Sequence, residues 1–374
     1  MKIKGAVLRE IGKPRPYAQT LPLTIEELEL EAPGSGEVLV KIVAAGLCHS
    51  DLSVINGDRP RPVPMLLGHE AAGIVESFGP GVEDLKKGDH VVLVFVPSCG
   101  LCLPCSQGRP ALCEPGAKSN AAGTLLSGAR RIRSGGEVVN HHLGVSAFAE
   151  FAVVSRRSIV KIDSELPLDE AALFGCAVLT GVGAVINTAQ VHAGASVAVV
   201  GLGGVGLASI LGAAAAGART VVAVDLSAEK LALAKAMGAT DVFLATDQDV
   251  VQKIRDVTEG GVEFSFEMAG SIRALDTAYK ITRRGGTTVT AGLPPPDQMF
   301  SLSPVNLVAE ERTLKGSYIG TCIPSRDISR YISLYRKGIM PVDRLLSERI
   351  QLEDINAAFD RLHDGLCVRQ VIRM

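Results

Sequence analysis

The chain is 374 residues long, enough for about two domains. Its 38 Lys plus Arg stand against 40 Asp plus Glu, a balance that speaks against nucleic acid or an anionic membrane as the partner. Forty Gly, no Trp and eight clustered Cys argue against a helical bundle; they point to a loop-rich α/β chain whose thiols hold metal before they form disulfides.

The N-terminal run MKIKGAVLREIGKP has neither the apolar core nor the cleavage site of a signal peptide, so a cytoplasmic protein is expected. Residues 35–160 read as an irregular β domain. GEVLVKIVAAG, GIVESFG, HVVLVFV and FAEFAVV are short β-rich runs divided by Gly, Pro and Asp. Cys48 and His69 lie there in AGLCHSD and LLGHEAAG; taken alone, they read as a small core thiol and a satisfied imidazole. Cys99, Cys102, Cys105 and Cys113 read C-x2-C-x2-C-x7-C in a Pro/Gly loop. Four thiolates so close in sequence complete a tetrahedral zinc shell and leave no position for substrate, which makes this lobe structural. An iron–sulfur cluster and two disulfides are the rivals; the x7 gap suits ferredoxin runs poorly. Residues 115–145, with Arg130, Arg131 and Arg133, read as a long polar loop.

From 178 to 320 the strand-like runs ASVAVVG, TVVAVD, DVFLA, EFSFEMA and GTTVTAG alternate with Ala- and Leu-rich helical stretches. That is the pattern of a doubly wound parallel sheet. No charge appears between Ala193 and Ala218, a length that could span a membrane, but GLGGVG interrupts it; the expectation is a buried strand, a tight turn and a buried helix. Gly201, Gly203 and Gly206, with Gly204 and Val205 between the last two, form G-x-G-x-x-G between that strand and helix. The glycines permit the turn, the approach of a pyrophosphate and close packing of the helix. Asp225 ends VVAVD 19 residues past Gly206, where a carboxylate accepts ribose hydroxyls and repels a 2′-phosphate, favouring NAD over NADP. Lys230 either flanks the ribose or is a solvated helix residue. Near the C-terminus, SERIQLEDINAAFDRLHDG starts as a strand and becomes an amphipathic helix.

GHEAAGIVESFGPGV fits G-H-E-x2-G-x5-G-x2-V, and AGLCHSD, the four-Cys lobe, GCAVLTG, GLGGVG, the Asp225 strand and CVRQ follow in order. On these motifs the chain resembles the zinc-dependent medium-chain alcohol dehydrogenases, in their long-loop, liver class I/III-like branch. The resemblance implies a GroES-like β catalytic domain over 1–177 completed by 321–374, and a Rossmann NAD-binding domain over 178–320. It implies two zinc ions per chain. Cys48, His69 and Cys176 would bind the catalytic ion, with Asp51 on the other ring nitrogen of His69 and Glu70 close by. Ser50 matches the hydroxyl that bonds the alcohol. His49 and Arg369 match pyrophosphate contacts, while Thr180 and Val205 match residues beside the nicotinamide. Phe95 and Leu143 match apolar walls of the substrate pocket, with His142 where an aromatic wall is common and Arg59 at the mouth. The implied activity is reversible hydride transfer from an aromatic, allylic or medium-chain primary alcohol to NAD, giving an aldehyde or ketone, by a homodimer.

Four positions depart from the family. Ser53 replaces the His that links the proton path to solvent, and His49 stands where Arg is common. Arg59 occupies the acidic position of glutathione-adduct enzymes, and the expected Arg near Ala117 is missing. An S-(hydroxymethyl)glutathione or polyol dehydrogenase is therefore the second reading, and a non-catalytic zinc- and nucleotide-binding protein the third.

Overall fold

The structure is a computed structural model describing residues 1–374, and it divides into two compact units. The first comprises Met1–Cys176, Ile323–Ser329 and Leu346–Met374; the second comprises Ala177–Cys322 and Arg330–Leu345. The sequence reading put all of 321–374 with the first unit. Besides the boundary residues Ala177, Thr321 and Cys322, the difference lies in Arg330–Leu345: Tyr331 is buried and its hydroxyl accepts from Asn187 Nδ2 at 3.2 Å, while Arg344 donates to Ala236 O at 2.8 Å. Those contacts tie the segment to the second unit.

In the first unit, the strand Glu37–Gly46 pairs antiparallel with Glu70–Phe78, Phe151–Ser155 and Arg369–Arg373. Gly46 lies opposite both Glu70 and Val371. That register brings Cys48, His69 and Arg369 to one end of the sheet, although they come from three distant parts of the chain. A Cβ at Gly46 would meet Glu70 Oε1 at 2.5 Å, so a side chain there would displace the carboxylate.

A closed barrel completes this unit: Lys2–Leu8, Leu23–Leu30, Ile132–Ser134, Glu137–His141 and Met65–Leu66. Its interior is apolar, with Ile3, Val7, Leu28, Leu66, Ile132 and Val139 among the buried residues. Residues 115–145, expected as a loop, are therefore partly regular. They contain most of the helix Glu114–Ala122 and a hairpin whose Ile132 and Val139 fill the barrel. The loop arginines are taken up by structure. Arg131 Nε donates to Glu37 at 2.9 Å and Nη1 to Glu31 at 3.3 Å; Arg133 also pairs with Glu31, and Arg130 bonds Asn140 and Ala122 O.

Glu37 is only 2 % exposed, and Ser127 Oγ and Gly34 N also donate to it. Removing one partner of a buried ion pair costs roughly 3–5 kcal/mol because the other charge is left uncompensated; the two remaining donors favour the low end. Arg131→Met is thus expected to lower the calorimetric unfolding temperature by several degrees. Adding Glu37→Leu should recover more than half of that loss, and a double variant as unstable as the single would refute the pairing argument.

The second unit holds a six-stranded parallel sheet in the spatial order Asp241–Leu244, Thr220–Asp225, Ser196–Val200, Val262–Glu267, Thr282–Thr290, Thr313–Gly316. Ser196–Val200 is buried at every position, as a central strand covered on both faces requires. The chain leaves it toward Thr220–Asp225 on one side and later returns to Val262–Glu267 on the other. The carboxyl end of Ser196–Val200 is therefore the switch point where α/β sheets bind ligands. The uncharged stretch resolves into this strand, a turn and the helix Gly204–Ala215, and no single helix is long and apolar enough to cross a membrane.

Candidate active site and metal centres

Cys48 ends an extended stretch and caps the helix His49–Ile55. His69 follows Gly68, whose φ is +93° and whose missing Cβ leaves room for Phe148 N, 2.6 Å from where that carbon would sit. Cys176 lies between the turn Ala172–Gly175 and the helix Ala177–Gly183. Here Gly175 approaches Leu93 O so closely that a Cβ would be 2.3 Å away. Three separate backbone constraints thus converge two thiols and an imidazole, their donor atoms all within 4.8 Å of one another. Cys176 Sγ stands 3.5 Å from His69 Nε2, and all three residues are buried.

The surrounding charges agree with a cation among these donors. The contact between Cys48 and Cys176 is the largest influence on both, depressing the first thiol and raising the second. Asp51, fully buried, accepts from Gly68 N at 3.1 Å and lies 3.1 Å from His69 Nδ1. That fixes which ring nitrogen of His69 faces the thiols. Burial raises Glu70 to about 7 against the opposing pull of Arg369. Arg369 is itself buried, donates to Leu47 O at 2.9 Å and reaches within 3.7 Å of Glu70 Oε2. Two soft sulfurs and one imidazole form a zinc-type set with fewer than four protein donors.

Around this cluster, Phe95 is nearly buried and meets the His69 ring edge-on, centroids 5.2 Å apart. Its carbonyl is held by Asn120 Nδ2 at 2.9 Å. Ser50 is half-buried and His49 exposed, both in the first turn of the helix that Cys48 caps. Leu143 is buried in a left-handed turn, φ +51°. Arg59 is half-buried, its backbone N–H on Ser53 O at 2.8 Å. His142, expected as a pocket wall, is 1 % exposed with Nδ1 3.1 Å from Asp51 Oδ1.

The four-Cys lobe forms a second cluster, again with all sulfurs within 4.8 Å. Cys102 Sγ and Cys113 Sγ are 4.0 Å apart, close to the ~3.8 Å edge of a tetrahedron with ~2.3 Å zinc–sulfur bonds. Backbone N–H groups of Leu101 and Cys102 point at Cys99 Sγ and lower that thiol to about 6; Gly116 N and Cys99 N donate to Cys113 Sγ. Burial pushes Cys105 up to about 12 and also raises Cys113, so four thiolates together require a cation to offset the charge. The remaining two thiols serve neither cluster: Cys322 is fully buried against Leu179 O, and Cys367 is half-buried.

In the second unit, Gly201 has φ +94°, and a Cβ there would lie 2.7 Å from Ala269 N. At Gly206 a Cβ would fall 1.8 Å from Gly201 O. Gly203 has open space on that side and caps the helix that starts at Gly204, whose first N–H groups suit an anion. Asp225 Oδ2 accepts from Leu202 N at 2.6 Å and Oδ1 from Ser227 N at 2.9 Å, so the glycine turn itself aims the carboxylate. Lys230 lies in the first turn of the next helix, Ala228–Ala236, its N–H on Ser227 Oγ. Thr180 and Val205 are half-buried.

Sequence reasoning overlooked Glu267. This buried carboxylate ends the neighbouring strand and accepts from Ala269 N at 2.8 Å, Gly270 N at 2.6 Å and Thr290 Oγ1 at 2.7 Å. It holds the loop against which Gly201 packs. The available signal was an acidic residue at the carboxyl end of an apolar strand, followed by Met-Ala-Gly-Ser.

Comparison with known proteins agrees with this construction. Residues 34–164 match the alcohol dehydrogenase GroES-like domain, and residues 204–337 match the zinc-binding dehydrogenase domain. An alcohol dehydrogenase zinc-binding domain protein from Burkholderia ambifaria is 35% identical, with a TM-score of 0.94 over 100% of this chain and 99% of its own. Benzyl alcohol dehydrogenase from Acinetobacter calcoaceticus is 32% identical, with a TM-score of 0.93 over the same shares. A Sinorhizobium meliloti protein described as a zinc-binding dehydrogenase and solved with NADP is 26% identical, with a TM-score of 0.82 over the whole of both chains. With both domains matched and a full-length relative above 30% identity, the chain belongs to the zinc-dependent medium-chain alcohol dehydrogenase family.

Proposed function

We propose that the chain is an NAD-dependent alcohol dehydrogenase that oxidises an aromatic, allylic or medium-chain primary alcohol and reduces the corresponding aldehyde. The observation that carries this reading is the buried set Cys48, His69 and Cys176, three protein donors where a structural site uses four. These residues would hold a catalytic zinc, and Cys99, Cys102, Cys105 and Cys113 a structural one. When bound, zinc supplies Lewis acidity that lowers the pKa of an oxygen ligand, and NAD supplies the hydride acceptor.

The chain's own groups do the rest. Ser50 Oγ would accept the alcohol proton as it releases its own hydroxyl proton toward the nicotinamide ribose, from which exposed His49, or Ser53 with water, would carry it to solvent. Phe95 and Leu143 supply an apolar wall that favours a ring or alkyl chain and keeps water away. Asp51 orients His69, while Glu70 and Arg369 balance charge beneath the thiols. Gly201–Gly206 and the helix they open receive the pyrophosphate, and Asp225 receives the ribose hydroxyls and disfavours a 2′-phosphate. A homodimer is part of the proposal; the edge strand Thr313–Gly316 is exposed along its length and offers unpaired backbone groups to a second copy.

The test is NADH formation from benzyl, cinnamyl and hexyl alcohols, an ω-hydroxy acid, and glutathione with formaldehyde, with and without a zinc chelator. The expected result is chelator-sensitive turnover, led by benzyl or cinnamyl alcohol, with NADP a poor substitute. Turnover on none of them, with zinc and NAD both bound, would overturn the reading in favour of a non-catalytic binding protein.

A further inference from the structure

Asp51 faces two imidazoles. Its Oδ1 lies 3.1 Å from Nδ1 of His69 and equally 3.1 Å from Nδ1 of His142, with the Gly68 N–H on the same oxygen. Oδ2 is buried without a partner, so every donor acts through one oxygen. The two imidazole rings meet edge-on, centroids 5.6 Å apart. His142 Nδ1 approaches at hydrogen-bond distance but off the ideal donor line, so the contact is an electrostatic brace more than a straight hydrogen bond.

The backbone around His142 is built to hold it there. Its N–H donates to Ser146 Oγ at 2.9 Å, and its carbonyl accepts from Val145 N and Ser146 N. Leu143, Gly144 and Ser146 all take positive φ, two of them non-glycine residues in a conformation they rarely adopt. Such a turn persists only when its surroundings over-determine it. An apolar ring of similar size would fill the same volume but remove this close polar approach to the buried carboxylate.

We propose that His142 is a positioning residue: it braces the Asp51 carboxylate through Nδ1, and Asp51 in turn holds His69 Nε2 toward Cys48 and Cys176. This rests on reading those three residues as zinc ligands. The role is distinct from forming a wall of the substrate pocket, because it acts on the ligand His whether or not an alcohol is present.

The experiment compares His142→Phe and His142→Asn in the full-length protein carrying both metals. Asn places its amide nitrogen where Nδ1 stands, while Phe has no donor. The readouts are the rate at which zinc leaves the three-donor site to a chromogenic chelator and the visible spectrum after cobalt substitution at that site. Loss of an outer partner of a metal ligand typically costs 10–100-fold; His142→Phe is expected to release zinc about tenfold faster, with a shifted cobalt band. His142→Asn should stay within about threefold of the parent. If the Phe variant fails to fold, His142→Leu, which likewise carries no donor, takes its place and should release zinc as fast. Parent-like release and an unchanged band in the donorless variant would overturn the proposal, as would an Asn variant as leaky as Phe. A parent protein with zinc only in the four-Cys lobe would instead overturn the ligand assignment, a separate failure seen before any variant is made.

Discussion

Cys176→Ser is expected to remove one of two zinc ions per chain and to lower turnover by more than about a hundredfold, the upper end for outer-shell partners alone. Serine is nearly isosteric, so the turn Ala172–Gly175 and the close approach of Gly175 to Leu93 O are kept. What changes is the donor: a soft thiolate gives way to a hydroxyl that stays protonated and binds zinc poorly. The loss therefore reads metal chemistry rather than folding. Metal analysis, circular dichroism and the benzyl alcohol rate measured together separate the two. Cys105→Ser is the contrast, because it should also lose one zinc but chiefly lower thermal stability. A Cys176→Ser enzyme that keeps both zincs and works within tenfold of the parent would overturn the site assignment.

The second large effect is expected at Asp225, where replacement by Gly should reverse cofactor preference. Its carboxylate is positioned by Leu202 N and Ser227 N, so it meets the adenosine ribose with little freedom left to lose. Hydrogen bonds to a charged group contribute about 1.5–3 kcal/mol, which at ~1.4 kcal/mol per decade is roughly a 10–100-fold loss in kcat/KM for NAD. NADP should gain as the like-charge repulsion against the 2′-phosphate disappears, and the ratio of the two specificity constants should swing by about a thousandfold. Asp225→Asn separates the causes. It can still accept a hydrogen bond but carries no charge, so it should relieve the NADP penalty while costing NAD less than Gly does. A Gly variant whose NAD:NADP ratio equals the parent's would show that the carboxylate serves only the glycine turn.

Much of the nucleotide unit was legible because its signals are contiguous. Continuous apolar runs gave the strands Ser196–Val200 and Thr220–Asp225 close to their observed ends, and the glycine pattern gave the turn between strand and helix. The four-Cys lobe was legible for the same reason. The barrel was not. Lys2–Leu8 begins with Lys2 and Lys4, and Leu23–Leu30 has Glu at three of its eight positions, so each looks too polar to be a core strand until Ile132 and Val139 are seen inside. The Glu114–Ala122 helix has Pro and Gly in its first turn and only two buried residues, leaving no apolar period to read. Cys48, His69 and Cys176 became a set only through the family's spacing, since nothing local to any one of them announces a ligand. Glu267 leaves only a weak local signal in the sequence and the Asp51 contact of His142 leaves none, because both depend on tertiary neighbours.

The two metal clusters differ most in how far apart their donors lie along the chain. Cys99 and Cys113 are 14 residues apart, whereas His69 and Cys176 are 107 apart. Loop closure grows costlier with length, and contacts of large sequence separation form late in folding. An ion captured by the lobe needs only one short segment, so it can be bound while most of the chain is still unstructured and can serve as an early nucleus. The three-donor site exists only once the sheet register around Gly46 is complete and Cys176 has been delivered to it. On the proposed assignment of one zinc to each cluster, zinc supply during synthesis is expected to act on the two at different times: scarcity at the start would lower folding yield, and scarcity afterwards would leave a folded chain without the ion at Cys48, His69 and Cys176, an activity loss that late addition of zinc should reverse.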